Sequence, residues 1–273
     1  SMSNRPALRD QRLRIMEGVL SWEGEIGNAR VRQLFDIQPV QASRLLADFR
    51  AMLGDKLTED GRAKVLRLAN PGSFECSVPL DEYVLHTMAT EGGNPGLVDA
   101  RVDLTEVRPE IFATLRKAVL TKTGVEITYA SMSNPEYVKR VIFPHAIVHI
   151  GRRWHVRAWC MKRRDYRDFT MGRIRSAESA LERFPLNIVE DKGWETFVEL
   201  ELQAHRKLSP DQQQVVRNEF FSGENNRFLS IRACLAQYVI FDLKASIDPV
   251  HEAPPEFQLE VANSEKLLSL LFK

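Results

Sequence analysis

The sequence predicts an α+β chain in three successive parts, and three observations carry that prediction. Apolar residues recur at spacings of three and four through the first 55 residues, and a hairpin signal follows them. From Val125 the period changes to two, with Val125, Ile127 and Tyr129 alternating with Glu126, Thr128 and Ala130. After Pro185, strand and helix signals alternate again. A chain of 273 residues exceeds one typical core of about 100–150 residues, so two or three small domains are expected. Hydrophobic residues at 44% and charged residues at 27% exclude wholesale disorder, collagen-like repeats and coiled-coil rods. No apolar run approaches the roughly 20 residues of a membrane helix, and no basic-then-apolar signal opens the chain. Cys76, Cys160 and Cys234 lie far apart without a C-x-x-C, which argues against disulfides or a zinc ribbon and fits a reducing cytoplasm.

In the first part, Leu8, Ile15, Met16, Val19 and Leu20 line one side of a helix over residues 7–22. Gly27-Asn28 starts a second helix with Val31, Leu34 and Phe35 inward. Pro39 opens a third, whose inward set is Ala42, Leu45, Leu46, Phe49 and Met52 and whose stop is Gly54-Asp55. Residues 57–68 read as a hairpin turning at Asp60-Gly61. Three helices followed by such a hairpin make a winged helix-turn-helix.

Residues 70–124 are mixed, with Leu80 to Met88 helical between Pro/Gly-rich stretches and a further helix over Pro109 to Thr121. Short strands are then expected at 125–130, 138–143, 145–150, 154–161 and 166–174, which form a small, strongly bent, barrel-like sheet. In the last part a strand over 196–202 precedes Ser209-Pro210-Asp211-Gln212, a capping box with proline at the first helical position. Strand, helix and strand follow at 228–232, 233–243 and 257–261, and Ser264 starts a terminal helix through Phe272. The expected domains are 1–70 for the winged unit, 71–108 for a helical and loop linker, 109–183 for the sheet, and 184–273 for a C-terminal α/β extension that serves dimerisation or regulation.

The net charge of +1 hides segregation: residues 137–183 hold 12 Lys and Arg against 4 Asp and Glu, between acidic flanks. Concentrated positive charge attracts nucleic acids and nucleotides. The competing reading is that acidic neighbours fold back and neutralise it.

In a helix-turn-helix the second helix of the motif enters the major groove with its N-terminal outward residues on base edges. Here those are Gln38, Val40, Gln41, Ser43 and Arg44. Glutamine suits adenine, arginine suits guanine, and serine serves base or phosphate. Arg62 and Lys64 in the wing, with Arg30 or Arg32, are candidates for phosphate contacts. Double-stranded operator DNA is therefore the expected partner.

In the sheet, alternation places His155, Arg157 and Trp159 on one face, and Arg167, Phe169, Met171 and Arg173 share a face of the next strand. Arginines interleaved with aromatics suit phosphates and stacked bases, although Asp165 and Asp168 offer the arginines closer partners. The run Phe143-Pro144-His145, then Gly151 to Cys160, then Asp165-Tyr166-Arg167-Asp168-Phe169 and Arg173-Ile174, resembles the WYL domain of bacterial transcription factors. The His155-Val156-Arg157-Ala158-Trp159-Cys160 and Ala204 to Pro210 segments look like the CapW/BrxR branch of phage-defence regulators. The resemblance implies an Sm-like small β-barrel between the winged helix and the extension, in a homodimeric repressor that binds an inverted repeat. It also implies that the WYL domain senses a ligand, with pocket positions at Ser131, His145, Arg157, Arg167 and Arg173; the arginine and aromatic chemistry above makes that unknown ligand a nucleotide or oligonucleotide, and Tyr129 and His155 complete the candidate set.

Catalysis is not expected. The chain lacks H-E-x-x-H, a phosphate-binding G-x-x-x-x-G-K, G-x-G-x-x-G and G-x-S-x-G. Cys160 belongs on an inward strand face, and His251 near Asp248 and Glu252 reads as a solvated loop cluster. Neither a metal nor a cofactor is implied. A single-strand-binding accessory protein without an operator, and a protein-docking adaptor, are the rival readings.

Overall fold

The computed structural model describes residues 5–185 and 187–271. The three-part α+β prediction holds. In the first compact unit, α1 (Arg5–Glu23), α2 (Asn28–Phe35) and α3 (Pro39–Leu53) enclose one apolar cluster that includes Met16, Val19, Leu20, Val31, Leu46 and Phe49. Strands β1 (Ile26–Gly27), β2 (Leu57–Asp60) and β3 (Val65–Leu68) form the wing sheet in the order β1-β3-β2.

Two residues expected inward lie near helix ends and face solvent: Leu8 is 48% exposed and Met52 49%, with Leu53 buried instead. The wing turn is also longer than an Asp-Gly dipeptide, spanning Gly61 to Lys64 with Lys64 in the left-handed region (φ 57°). Beyond the wing, α4 (Leu80–Met88) packs on α1: Val78 and Tyr83 join the same cluster, Trp22 Nε1 donates to Val78 O at 2.9 Å, and the Tyr83 hydroxyl donates to Glu23 at 2.7 Å. The unit ends at Ala100.

The second unit runs from Arg101. Helix α5 (Pro109–Thr121) packs on a five-stranded sheet of β4 (Thr123–Tyr129), β5 (Val138–Ile150), β6 (Arg153–Cys160), β7 (Asp165–Thr170) and β8 (Ile174–Arg183), resting chiefly on β4, β5 and β8. Strand order is β7-β6-β5-β4-β8, all antiparallel. Ile111, Leu115, Val125, Ile127, Ile142, Val156, Ala158 and Phe169 fill its interior.

Pro144 does not split β5, contrary to the two strands expected there. The ladder shifts register between Pro144 and Ala146, and this bulge absorbs the proline and carries the strand through. Residues 166–174 do break, at a 3-10 turn over Met171–Arg173, and β8 begins after it; its Glu- and Ser-rich sequence gives little apolar signal.

Within the same unit, α6 (Lys192–Glu195) leads into β9 (Phe197–Ala204), α7 (Pro210–Phe220), β10 (Asn226–Arg232), α8 (Ala236–Asp242), β11 (Ala245–Ser246), β12 (Leu259–Val261) and α9 (Ser264–Leu271). The sheet order β10-β9-β12-β11 is a mixed α/β layer over its own apolar cluster. Ser209 accepts from Gln212 N at 3.2 Å and Gln212 accepts from Ser209 N at 3.0 Å, the reciprocal cap anticipated for α7. Phe272, the expected end of the last helix, lies outside the described residues.

Candidate functional site

The first unit presents the start of α3. Buried Ala42, Leu45, Leu46 and Phe49 leave Gln38, Val40, Gln41, Ser43 and Arg44 exposed around its first turns. The turn is braced from within. Gln38 N donates to Gln41 Oε1 at 3.1 Å, which leaves the Gln41 amide nitrogen for an outside acceptor. Asn28 Nδ2, at the head of α2, donates to Pro39 O at 3.0 Å and to Ser43 Oγ at 2.9 Å, so one side chain ties the two helices together. Among the described residues no carboxylate lies within 4.0 Å of the side-chain nitrogens of Arg44, Arg62 or Lys64.

At the wing, Asp60 Oδ1 accepts from Arg62 N at 3.0 Å and Ala63 N at 2.9 Å, while Arg67 holds the other oxygen at 2.6 Å. Those hydrogen bonds draw the Asp60 carboxyl below its ordinary range, the backbone donor at Ala63 contributing most. They shape the tip that displays Arg62 and Lys64. Arg30, a candidate phosphate contact, is instead bound to Glu23 at 2.6 and 2.9 Å.

In the second unit a polar cluster joins the barrel sheet to the extension. Arg157 (8% exposed) is opposite Asp168 across the β6–β7 ladder. Its Nε and Nη2 donate to Asp191 at 2.7 and 2.8 Å, and its Nη1 reaches Asp168 at 3.3 Å. Asp191 (7% exposed) caps α6, accepting from Trp194 N at 3.3 Å, and lies 2.9 Å from His145 Nε2. Asp168 also accepts from the Tyr238 hydroxyl at 2.8 Å.

Burial alone would raise the Asp191 carboxyl, but hydrogen bonds from Arg157 and His145 outweigh it and hold Asp191 well below the carboxylate range. Burial likewise works against the Arg157 cation, and Asp191 and Asp168 more than offset that. Burial pushes the Cys234 thiol up to about 11 and the Tyr238 hydroxyl still higher, so both stay protonated near neutrality. Approach is close as well: a Cβ on Gly193 would stand 3.1 Å from Arg157 Nη2 and 3.2 Å from the Cys234 Cβ.

The proposed ligand set is therefore divided. His145 and Arg157 meet at Asp191, and His155 lies on the Arg157 face with its ring 4.6 Å from Tyr238. Arg167 is opposite Ala158, which puts it on the other face of the sheet, not with Arg157; it holds Asp165 at 2.8 and 3.1 Å. Tyr129 is core, its hydroxyl accepting from Thr170 N at 3.1 Å. Ser131 caps a turn by accepting from Asn134 N at 3.1 Å, and Arg173 lies in the 3-10 turn before β8. Asp191, Trp194 and Tyr238 escape the sequence reading; the one local signal is an aspartate three residues before a tryptophan, an N-cap pattern. Among the described residues no group of His, Cys, Asp and Glu could hold a metal ion, and no helix is long and apolar enough to cross a membrane.

A winged helix with an exposed reading turn, followed by a small barrel and an α/β layer, defines a winged-helix transcriptional regulator. Family models specify it. Residues 9–79 match the BrxR transcriptional regulator winged helix-turn-helix domain, residues 110–179 the WYL domain, and residues 197–267 the BrxR transcriptional regulator C-terminal dimerization domain. The chain thus carries a WYL domain between a BrxR-type winged helix-turn-helix domain and a BrxR-type C-terminal dimerization domain. It is 29% identical over 277 residues to the DNA-binding transcriptional repressor CapW of Escherichia coli, covering 96% of this chain and 92% of that one. CapW proteins of Pseudomonas aeruginosa and Stenotrophomonas maltophilia are each 27% identical, covering 96% and 95% of this chain and 92% and 91% of theirs. A solved structure, proteasome accessory factor B/C of Arthrobacter aurescens, aligns with 97% of this chain and 46% of its own at 14% identity; its TM-score of 0.31 carries no argument.

Proposed function

We propose that this chain is a cytoplasmic, dimeric, non-enzymatic transcriptional repressor that occupies an inverted-repeat operator and controls a phage-defence operon. The observation that carries this reading is the exposed first turn of α3, where Gln38, Val40, Gln41, Ser43 and Arg44 surround the helix start that meets base edges. Arg44 reads guanine through its guanidinium, and Arg62 and Lys64 neutralise phosphates from the wing. The name borne by the relatives, DNA-binding transcriptional repressor, and the dimerization-domain match support the same reading. Two linked heads suit half-sites about one helical turn apart.

Control by a nucleotide or nucleic-acid ligand in the WYL domain completes the proposal, supported by the WYL match and the cationic block around it. Arg157 is not an open anion receptor here, because two carboxylates already hold it. Its part is a joint between barrel and extension, which an anionic ligand loosens by competing with Asp191 for the guanidinium. Coupling of about 1–3 kcal/mol between such a site and the DNA-binding head is typical of regulators.

The test is a footprint and gel shift of the purified protein on its own upstream region. Arg44→Ala is expected to weaken operator binding by about 1–3 kcal/mol without unfolding the protein. Unchanged affinity refutes the reading role. Tighter binding to a random single-stranded oligomer than to the upstream duplex would favour the operator-free accessory reading instead.

A further inference from the structure

Arg140 stands on β5 opposite Ile127, on the strand face that also carries Ile142 and so looks into the barrel. It is 9% exposed. Its guanidinium carbon lies 5.7 Å from the ring centre of Tyr129 and 6.0 Å from that of Phe169, two rings that pack edge to face at 5.1 Å. Its Nε is buried without a hydrogen-bond partner, and among the described residues no carboxylate lies within 4.0 Å of its side chain. Ring faces return part of what a guanidinium loses on leaving water, but a buried charge without a counter-charge stays costly to the fold.

The surroundings add positive charge. The turn between β6 and β7 abuts the same stretch of β5: Met161 N donates to Val141 O at 3.1 Å, and Arg164 N to Cys160 O at 2.8 Å. That turn carries Lys162, Arg163 and Arg164, all exposed and, among the described residues, without a carboxylate within 4.0 Å. The strand carboxylates nearby are engaged, Asp165 by Arg167 at 2.8 Å and Glu126 by Lys139 at 3.7 Å.

We propose that Arg140 anchors an anion site at this end of the barrel, and that its ligand is the phosphate group of a small molecule. A planar guanidinium braced on two rings presents a fixed fork that matches phosphate oxygens. Cations in excess of one favour a phosphate dianion over a single carboxylate. The site lies on the opposite sheet face from Arg157 and does not depend on operator binding.

Thermal unfolding of the full chain tests it, with inorganic phosphate and AMP as probes and acetate at matched ionic strength as the carboxylate control. At tenfold excess over its measured Kd, a phosphate probe is expected to raise Tm on the order of 3 °C. Acetate leaves Tm unchanged. Arg140→Met, which removes the unpaired cation, is expected to be at least as stable as the native chain in plain buffer and to lose the phosphate response. Arg140→Lys is expected to bind the probe about tenfold more weakly in calorimetry, having lost the fork, and it decides the matter should Arg140→Met not fold. A response to either phosphate or AMP supports the site, and their difference separates free phosphate from a phosphate ester. An equal shift in Arg140→Met, unchanged affinity in Arg140→Lys, an acetate shift as large as that of phosphate, or no shift at all overturns it.

Discussion

Replacing Asp191 by alanine should uncouple the barrel from the extension at a measurable cost. The substitution takes two hydrogen bonds of 2.7 and 2.8 Å from Arg157 and removes the carboxylate 2.9 Å from His145. Breaking a buried ion pair by deleting one partner costs about 3–5 kcal/mol, because the other charge stays buried. Asp168 still lies 3.3 Å from Arg157 Nη1, which places the expectation at the low end, about 3 kcal/mol. Urea unfolding of the full chain, with native and variant at one protein concentration because the stability of any oligomer depends on it, gives the value. Arg157→Met in the same background should recover much of the loss, since removing both charges leaves no orphan. A loss within about 0.5 kcal/mol, the range of surface substitutions, would refute the view that Asp191 holds the two parts together.

Two further outcomes follow from the same cluster. Burial lowers the His155 imidazole below its ordinary 6.5, outweighing the Asp168 charge, which pulls the other way. The unfolded chain then takes up that proton first, so the stability contributed by neutral His155 is complete above 6.5 and drains as pH falls toward the depressed folded value. Urea midpoints between about pH 7.5 and 5 should fall more steeply for the native chain than for His155→Gln; equal slopes would contradict the assignment. Gly193→Ala should destabilise by about 1–3 kcal/mol through overpacking against Arg157 and Cys234, and by less in Arg157→Met; a neutral result in the native background counts against the close approach.

The winged unit was legible because each of its signals is local. Periodicity, Pro39 and the glycine stops lie within a few residues of what they determine, and only residues near helix ends, Leu8 and Met52, defy the pattern. The sheet is less legible because alternation tells which residues of one strand share a face but not how two strands register. Arg157 and Arg167 look equivalent by that rule, and the pairing of Arg157 with Asp168 separates them. Asp191 lies 34 residues from the arginine it binds, in a segment with little periodic signal. Sequence therefore reveals the cation and its near partner Asp168 but hides the closer counter-ion, Asp191.

The register shift at Pro144 and Ala146 has a consequence for what change β5 can absorb. It acts as a phase shifter, since the single extra residue, His145, decides which side of the sheet every later position in that strand occupies. Composition there is free to drift within the limits of packing, but length is not. Losing one residue would turn Ala146 through Ile150 inside out while leaving Val138 through Phe143 in place, so a deletion should do more harm than any single replacement in the strand.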